Sequence, residues 1–214
     1  MRPNRQSHRL KGYDYSRNGA YFITIVCQDR INRFGEIVNG SMVLNDAGRM
    51  VREVWNSTMN EFQHIHSDEF IIMPNHFHAI IVIVGADSIS ARSNDSISVR
   101  NVNSMPHRNV DSNDIVLSRA EMDSAPTGRP TVGTVVQSFK RHSTVRYING
   151  VKLKLVPPFR KRLWQRDYYD HIIRNKSEYE TLREYIFNNP LSWEFDTLKA
   201  HLSPEINVTL KSLK

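Results

Sequence analysis

Residues 86–128 constrain how the rest of the chain can fold. The segment is dominated by Ser, Asn and Asp and repeats itself locally. Asp-Ser-Ile-Ser stands at 87–90 and again at 95–98, Arg-Asn-Val at 100–102 and again at 108–110. Such a stretch buries too little apolar surface to offset its ordering entropy, and the repeats are too short to build a solenoid. It is expected to be a flexible surface insertion. The sequence on either side must then share one core, giving a domain over 13–196, a basic arm at 1–12 and a tail at 197–214. Of the 214 residues 39 % are apolar and 24 % charged, which suffices for one domain of ordinary size.

Cys27 is the only cysteine, so an intrachain disulfide framework and a Cys-based zinc knuckle are both excluded. The longest apolar run, Ala79 to Val84, is far short of the roughly 20 residues that span a bilayer. No apolar stretch follows the basic N-terminus as a secretory signal requires. These features lead to the expectation of a cytoplasmic protein without a membrane partner.

Periodicity supplies the elements. Tyr21 to Cys27 is rich in β-branched and aromatic residues and reads as a strand. Residues 34–43 hold a hairpin turning at Val38-Asn39-Gly40-Ser41. Asn45 is placed to cap a helix over 46–62, in which Ala47, Met50, Val51, Val54, Trp55, Met59 and Phe62 recur at helical spacing. Strands follow at 66–72 and 76–84, parted by Met73-Pro74-Asn75. After the insertion, Val132, Val135, Val136 and Phe139 predict a helix over 131–148, and 163–173 a strand. A last helix is expected from Ser177, with Glu180 completing a capping box, to about Asn189, where Pro190 stops it. This order predicts an α+β fold: a ferredoxin-like antiparallel sheet with helices packed on one face, interrupted by the insertion.

The net charge is +7, and its placement is uneven. From Ser124 to Arg166 there is no Asp or Glu, while Lys140, Arg141, Arg160, Lys161, Arg162 and Arg166 all fall there with Phe139, Tyr147, Phe159 and Trp164 among them. Cations interleaved with aromatics suit a nucleic acid, because phosphates take the charge and bases stack on rings. Arg2, Arg5, Arg9 and Lys11 in the arm extend the set of DNA grips.

Two constellations can carry chemistry. His76 and His78 lie two apart at the start of an apolar strand, so both imidazoles project from one face, near enough to share a metal ion, while Phe77 points into the packing. His64 and His66 share the spacing but sit in a more polar stretch. Tyr185 and Asn189 stand i and i+4 on the last helix, with core contacts assigned to Leu182 and Ile186. Tyr168 and Tyr169 are adjacent, so one faces each side of a strand, and Tyr179 groups with the core positions. Among the tyrosines only Tyr185 has a candidate ligand one turn on.

Met73-Pro74-Asn75-His76-Phe77-His78 resembles the HUH motif, two histidines around a bulky apolar residue. Tyr185-Ile186-Phe187-Asn188-Asn189-Pro190 resembles the tyrosine helix of the HUH single-tyrosine transposases, most closely the REP-associated branch. Lys11-Gly12-Tyr13-Asp14-Tyr15, Gly19 to Thr24, Ser138-Phe139-Lys140 and Leu163 to His171 extend the resemblance, which covers roughly 10–84 and 130–192. The insertion and the tail after Asp196 depart from it.

The resemblance implies a metal-dependent transposase that cuts single-stranded or hairpin DNA, at palindromic repeats, and joins it to Tyr185 as a 5′-phosphotyrosine. It implies a monomer or homodimer, associated with the nucleoid. A phenol of pKa about 10 is a poor nucleophile at neutral pH and needs an activated phosphate. The implied ligands of the divalent ion, Mg²⁺ or Mn²⁺, are His76, His78 and Asn189, which add no negative charge and leave positions open. The competing expectation is a non-catalytic, ferredoxin-like module that binds single-stranded nucleic acid, which leaves the histidines and the Tyr185–Asn189 pair without a task. If the acid-free region tracks about five phosphates of a single strand, DNA affinity should fall with salt at a log–log slope of roughly −3.5. Replacing Arg160, Lys161 and Arg162 by Ala should flatten that slope in filter-binding titrations; an unchanged slope would remove this region from the DNA path.

Overall fold

The computed structural model describes residues 12–84 and 130–199. The insertion and most of the arm and tail, with Arg2, Arg5, Arg9 and Lys11, lie outside the described residues. In chain order the elements are β1 (Gly19–Val26), the hairpin β2 (Gly35–Val38) and β3 (Ser41–Leu44), α1 (Asp46–Asn60), β4 (Ile65–Ile72), β5 (His76–Ile83), α2 (Val132–Lys152), β6 (Tyr169–Ile173) and α3 (Lys176–Asn188). A 3₁₀ helix, Asn189–Phe195, continues directly from α3. The main sheet has the order β4-β5-β1-β6, with every neighbouring pair antiparallel. With the hairpin and the C-terminal α3 set aside the succession is β-α-β-β-α-β, the ferredoxin-like α+β arrangement read from the sequence.

Local chemistry explains the boundaries. Asn39 and Gly40 both take positive φ, +50° and +72°, as a two-residue I′ turn requires. Asn45 caps α1 by accepting from the Gly48 amide at 2.9 Å. The cap of α3 is Asn175 rather than Ser177: its side-chain oxygen accepts from the Glu178 amide at 2.9 Å, so the helix begins at Lys176. Glu178 in turn accepts from the Arg174 amide and pairs with the His171 imidazole, each at 2.7 Å.

The expected strand over 163–173 is broken. Trp164 bridges Cys27 beside β1, with Gln165 donating to the Val26 carbonyl at 2.9 Å, but regular pairing resumes only at Tyr169. Between them the Lys140 ammonium takes the carbonyls of Gln165, Arg166 and Asp167 at 3.0, 3.1 and 3.2 Å. Those oxygens face a cation instead of a neighbouring strand, which accounts for the interruption.

The sheet is covered on both sides. α1 and α2 pack on one face over the larger core, where Trp55 meets Phe77 and Phe139 at ring separations of 4.7 and 5.1 Å. α3 lies on the opposite face over Phe22, Ile80, Ile173 and Ile186. The one-face packing read from the sequence therefore describes α1 and α2, and α3 forms a separate layer. A bulge in β4 between Ser67 and Phe70 helps to hold α3: Asp68 accepts from the Tyr179 hydroxyl at 2.8 Å and pairs with Arg183 at 3.0 Å. No described helix is long and apolar enough to cross a membrane.

Gly48 offers a test of how α1 is seated. In an open helix Gly→Ala stabilises by about 1 kcal/mol. Here a Cβ would stand 2.1 Å from the Phe34 carbonyl oxygen. Gly48→Ala should therefore lower the melting temperature, and a rise in thermal unfolding experiments would show that the hairpin yields freely.

Candidate functional site

β5 is buried on both faces, and its alternation places His76, His78 and Ile80 on the α3 side. The two imidazoles are 0 % and 2 % exposed, with ring centres 4.6 Å apart. His78 pairs in register with Thr24 of β1, whose hydroxyl lies 2.8 Å from its Nδ1. His76 Nδ1 lies 2.8 Å from Asn75 Oδ1. The Asn75 amide nitrogen donates to the carbonyls of Arg30 and Leu198 at 2.9 and 2.8 Å, which fixes its oxygen toward the imidazole. An amide oxygen can only accept, so His76 carries its proton on Nδ1 and presents a lone pair at Nε2.

Asn189 lies at the junction of α3 and the 3₁₀ helix and is 3 % exposed. Its Oδ1, with the Nε2 atoms of His76 and His78, is buried without a hydrogen-bond partner. Three such atoms in one site are uncommon, because each costs about 1–3 kcal/mol if nothing occupies it. Burial pushes His76 down to about 3, with the Asn189 side chain working the other way, and it holds His78 well below the ordinary range, helped by His76. Both imidazoles are therefore neutral and can act as ligands. No three His, Cys, Asp or Glu side chains among the described residues form a metal cluster, so a cation here would draw on the Asn189 amide oxygen. Two imidazole nitrogens and an amide oxygen fit a divalent first-row ion or Mg²⁺ with positions left open.

Tyr185 stands at the edge of this group. Its ring meets His78 edge-on at 5.4 Å and Phe22 at 5.9 Å, and it remains 45 % exposed. Burial raises the phenol above its ordinary value; the Asn189 side chain lowers it and the Asp196 carboxylate raises it further. A cleft of about 550 Å³ opens over it, lined among others by Thr24, His78, Gln165, Asp167, Tyr168, Tyr169 and Leu198. Tyr169, 52 % exposed, lies on the cleft wall, and Tyr168 packs against the larger core. Asp196, just past the 3₁₀ helix, places Oδ2 3.6 Å from His76 Nε2.

The cations sort by layer. Lys140 is spent on three carbonyls and lies 5.5 Å from the Tyr168 ring, and burial moves it down to about 8 against the pull of Asp167. It closes a backbone turn and has no donor left for a phosphate. Arg141 is exposed on α2, in the layer that the sheet separates from the Tyr185 face. Arg160, Lys161, Arg162 and Arg166 are exposed on the connection that leads into the cleft wall at Gln165. Sequence reading missed Thr24, Asp196 and the hydrogen-bonding part of Asn75. Asn75 alone had a signal, its place directly before His76; the others are joined to the site by strand pairing and by a turn.

No family model matches the chain. An uncharacterized protein of Haemophilus influenzae is 35 % identical over 195 residues, spanning 91 % of this chain and 93 % of its own length. This chain belongs to the same family as that protein. Among solved structures it is similar to a REP-associated tyrosine transposase bound to a REP hairpin, at 15 % identity and a TM-score of 0.46, over 86 % of this chain and 73 % of the other. A Deinococcus radiodurans protein described only provisionally as a transposase is similar at 12 % identity and a TM-score of 0.38, over 84 % and 95 %. Likenesses at these values carry no inference about activity.

The buried imidazoles predict a pH dependence. A histidine held neutral in the fold but free to protonate near 6.5 when unfolded makes stability rise with pH between about 3 and 6.5. Stability is thus complete above about 6.5 and falls as pH drops through that window, at about 1.4 kcal/mol per pH unit for each such group. In chelator, the urea midpoint should fall between pH 7 and pH 5, and less so in His76→Gln. Equal slopes for the two proteins would show that His76 is not held neutral.

Proposed function

We propose that this chain is a metal-dependent DNA strand transferase of the HUH single-tyrosine type, acting on single-stranded or hairpin DNA at palindromic repeats. The observation that carries the reading is the convergence of three buried, unpartnered ligand atoms, on His76, His78 and Asn189, beside a half-exposed Tyr185 at the mouth of a cleft. The sequence resemblance names the same four residues.

His76, His78 and Asn189 would hold the divalent ion, Mg²⁺ or Mn²⁺, and when bound it would polarise the scissile phosphate and offset charge in the transition state. Asn75 and Thr24 keep the imidazoles oriented, with His76 presenting Nε2. Tyr185 Oη attacks phosphorus in line with the 3′-oxygen. The new O–P bond joins tyrosine to the 5′ side of the break, and the P–O3′ bond opens. The phenolic proton passes to solvent, and the departing 3′-oxygen takes one up. Reversal by a free 3′-hydroxyl rejoins the strand without ATP, because the phosphodiester energy stays in the tyrosyl bond. Burial raises the phenol, so little of it is ionised at neutral pH, and an electrophilic activator would offset that. The exposed Arg160, Lys161, Arg162 and Arg166 would take the backbone as the strand enters, and the exposed Tyr169 ring offers a base a stacking surface.

Tyr185→Phe removes one oxygen and keeps the ring. It should abolish the covalent protein–DNA band on denaturing gels while leaving metal and DNA binding intact. His76→Ala and His78→Ala should abolish it through lost metal affinity. Asn189→Ala should be milder, since water can replace a neutral amide, and raised Mn²⁺ should partly rescue it but never Tyr185→Phe. A band that persists in Tyr185→Phe, or a modified peptide carrying Tyr169, would refute the nucleophile assignment. A wild type that binds DNA and never forms the band would favour the non-catalytic binding module.

A further inference from the structure

Asp196 stands outside the stretch that resembles the transposases, and the ligand set above leaves it out. Its side chain is 9 % exposed, and its Oδ1 accepts from the Leu198 amide at 2.6 Å. That bond fixes the carboxylate so that Oδ2 faces His76 Nε2 at 3.6 Å. A carboxylate this deeply buried is stable when it is paired with a cation or coordinates one. Lys199, three residues on, is paired with Glu194, and the Arg30 guanidinium donates to the Thr197 carbonyl.

We propose that Asp196 is a fourth, anionic ligand of the divalent ion, which makes the set two imidazoles, one amide and one carboxylate; this rests on the metal reading of the site. An octahedral Mg²⁺ or Mn²⁺ ion, with bonds of about 2.1 Å, sets adjacent ligand atoms about 3 Å apart. The observed 3.6 Å is wider by about half an ångström, a gap that a small side-chain shift closes, and the lone pair of His76 Nε2 and the carboxylate oxygen face the same space. As they stand, His76, His78 and Asp196 do not close into a metal cluster, so the four-ligand set needs the Asp196 carboxylate to move toward the imidazoles as well as the Asn189 oxygen. A neutral set of two histidines and an amide binds hard cations weakly. A carboxylate adds the charge by which proteins raise affinity for Mg²⁺ and Mn²⁺. The ligand also comes from the residue just after the 3₁₀ helix, so cation binding would fasten the segment past α3 to β5.

The test uses the full chain, freed of metal with chelator and titrated with Mn²⁺ by electron paramagnetic resonance. Asp196→Asn keeps an oxygen for the Leu198 amide but loses the charge. It should weaken Mn²⁺ binding by about tenfold or more. In chelator its melting temperature should equal or exceed that of wild type, because an uncompensated buried charge is gone; a purely structural role would lower it. Asp196→Cys, loaded with Cd²⁺, should show an ultraviolet thiolate–cadmium band that wild type lacks, its Cys27 being fully buried. If Asp196→Asn binds Mn²⁺ as wild type does while His76→Ala does not, Asp196 is no ligand and the three-ligand site stands. If wild type binds no Mn²⁺, both readings fall.

Discussion

β5 is the strand on which the rest of the molecule depends, because it is packed on both faces and its residues cannot trade sides. Phe77, Ala79, Ile81 and Ile83 belong to the core under α1 and α2, while His76, His78 and Ile80 belong to the face under α3. A slip of one residue would bring both imidazoles into the aromatic core around Trp55 and Phe139 and turn Phe77 toward the cleft. The pairing with β1 prevents this, since it sets Thr24 against His78 and Ile25 against Phe77. Hydrophobic sorting in one layer thereby fixes the chemistry of the other.

Asn75 extends that control beyond the sheet. Its amide nitrogen binds the carbonyls of Arg30 and Leu198, and its oxygen orients His76. One fully buried side chain thus connects the loop after β1, the segment after the 3₁₀ helix and the tautomer of an imidazole. A buried amide keeps such a post only when its donors and acceptor are satisfied. Each of these three partners is therefore constrained by the other two.

Positive charge is divided in the same layered way. Lys140 spends its donors on the carbonyls between Trp164 and β6, shaping the cleft wall from the rear. Arg146 pairs with Glu53 across α1 and α2 at 3.0 Å. A long acid-free stretch of sequence is therefore part internal bracing and part exposed surface, with Lys154, Arg160, Lys161, Arg162 and Arg166 exposed on the connection that leads into the cleft.

Patterns that repeat within a few residues were legible in the sequence. The I′ turn at Asn39-Gly40, the Asn45 cap, the stripe of α1, the two histidines on one face of β5 and the separation of Tyr185 from Asn189 by one helical turn all follow from local backbone geometry. The cap of α3 was misplaced by two residues because Ser177 and Asn175 offer the same chemistry and only the helix's approach to β6 selects between them. The break at 166–168, the placing of α3 on its own face and the arrival of Thr24 and Asp196 at the histidines are long-range events. Periodicity tells which side of a strand or helix is apolar, but not which face of the sheet it will cover. That is decided when two apolar surfaces compete for one sheet, and here the competition put the tyrosine and the histidines in the same layer.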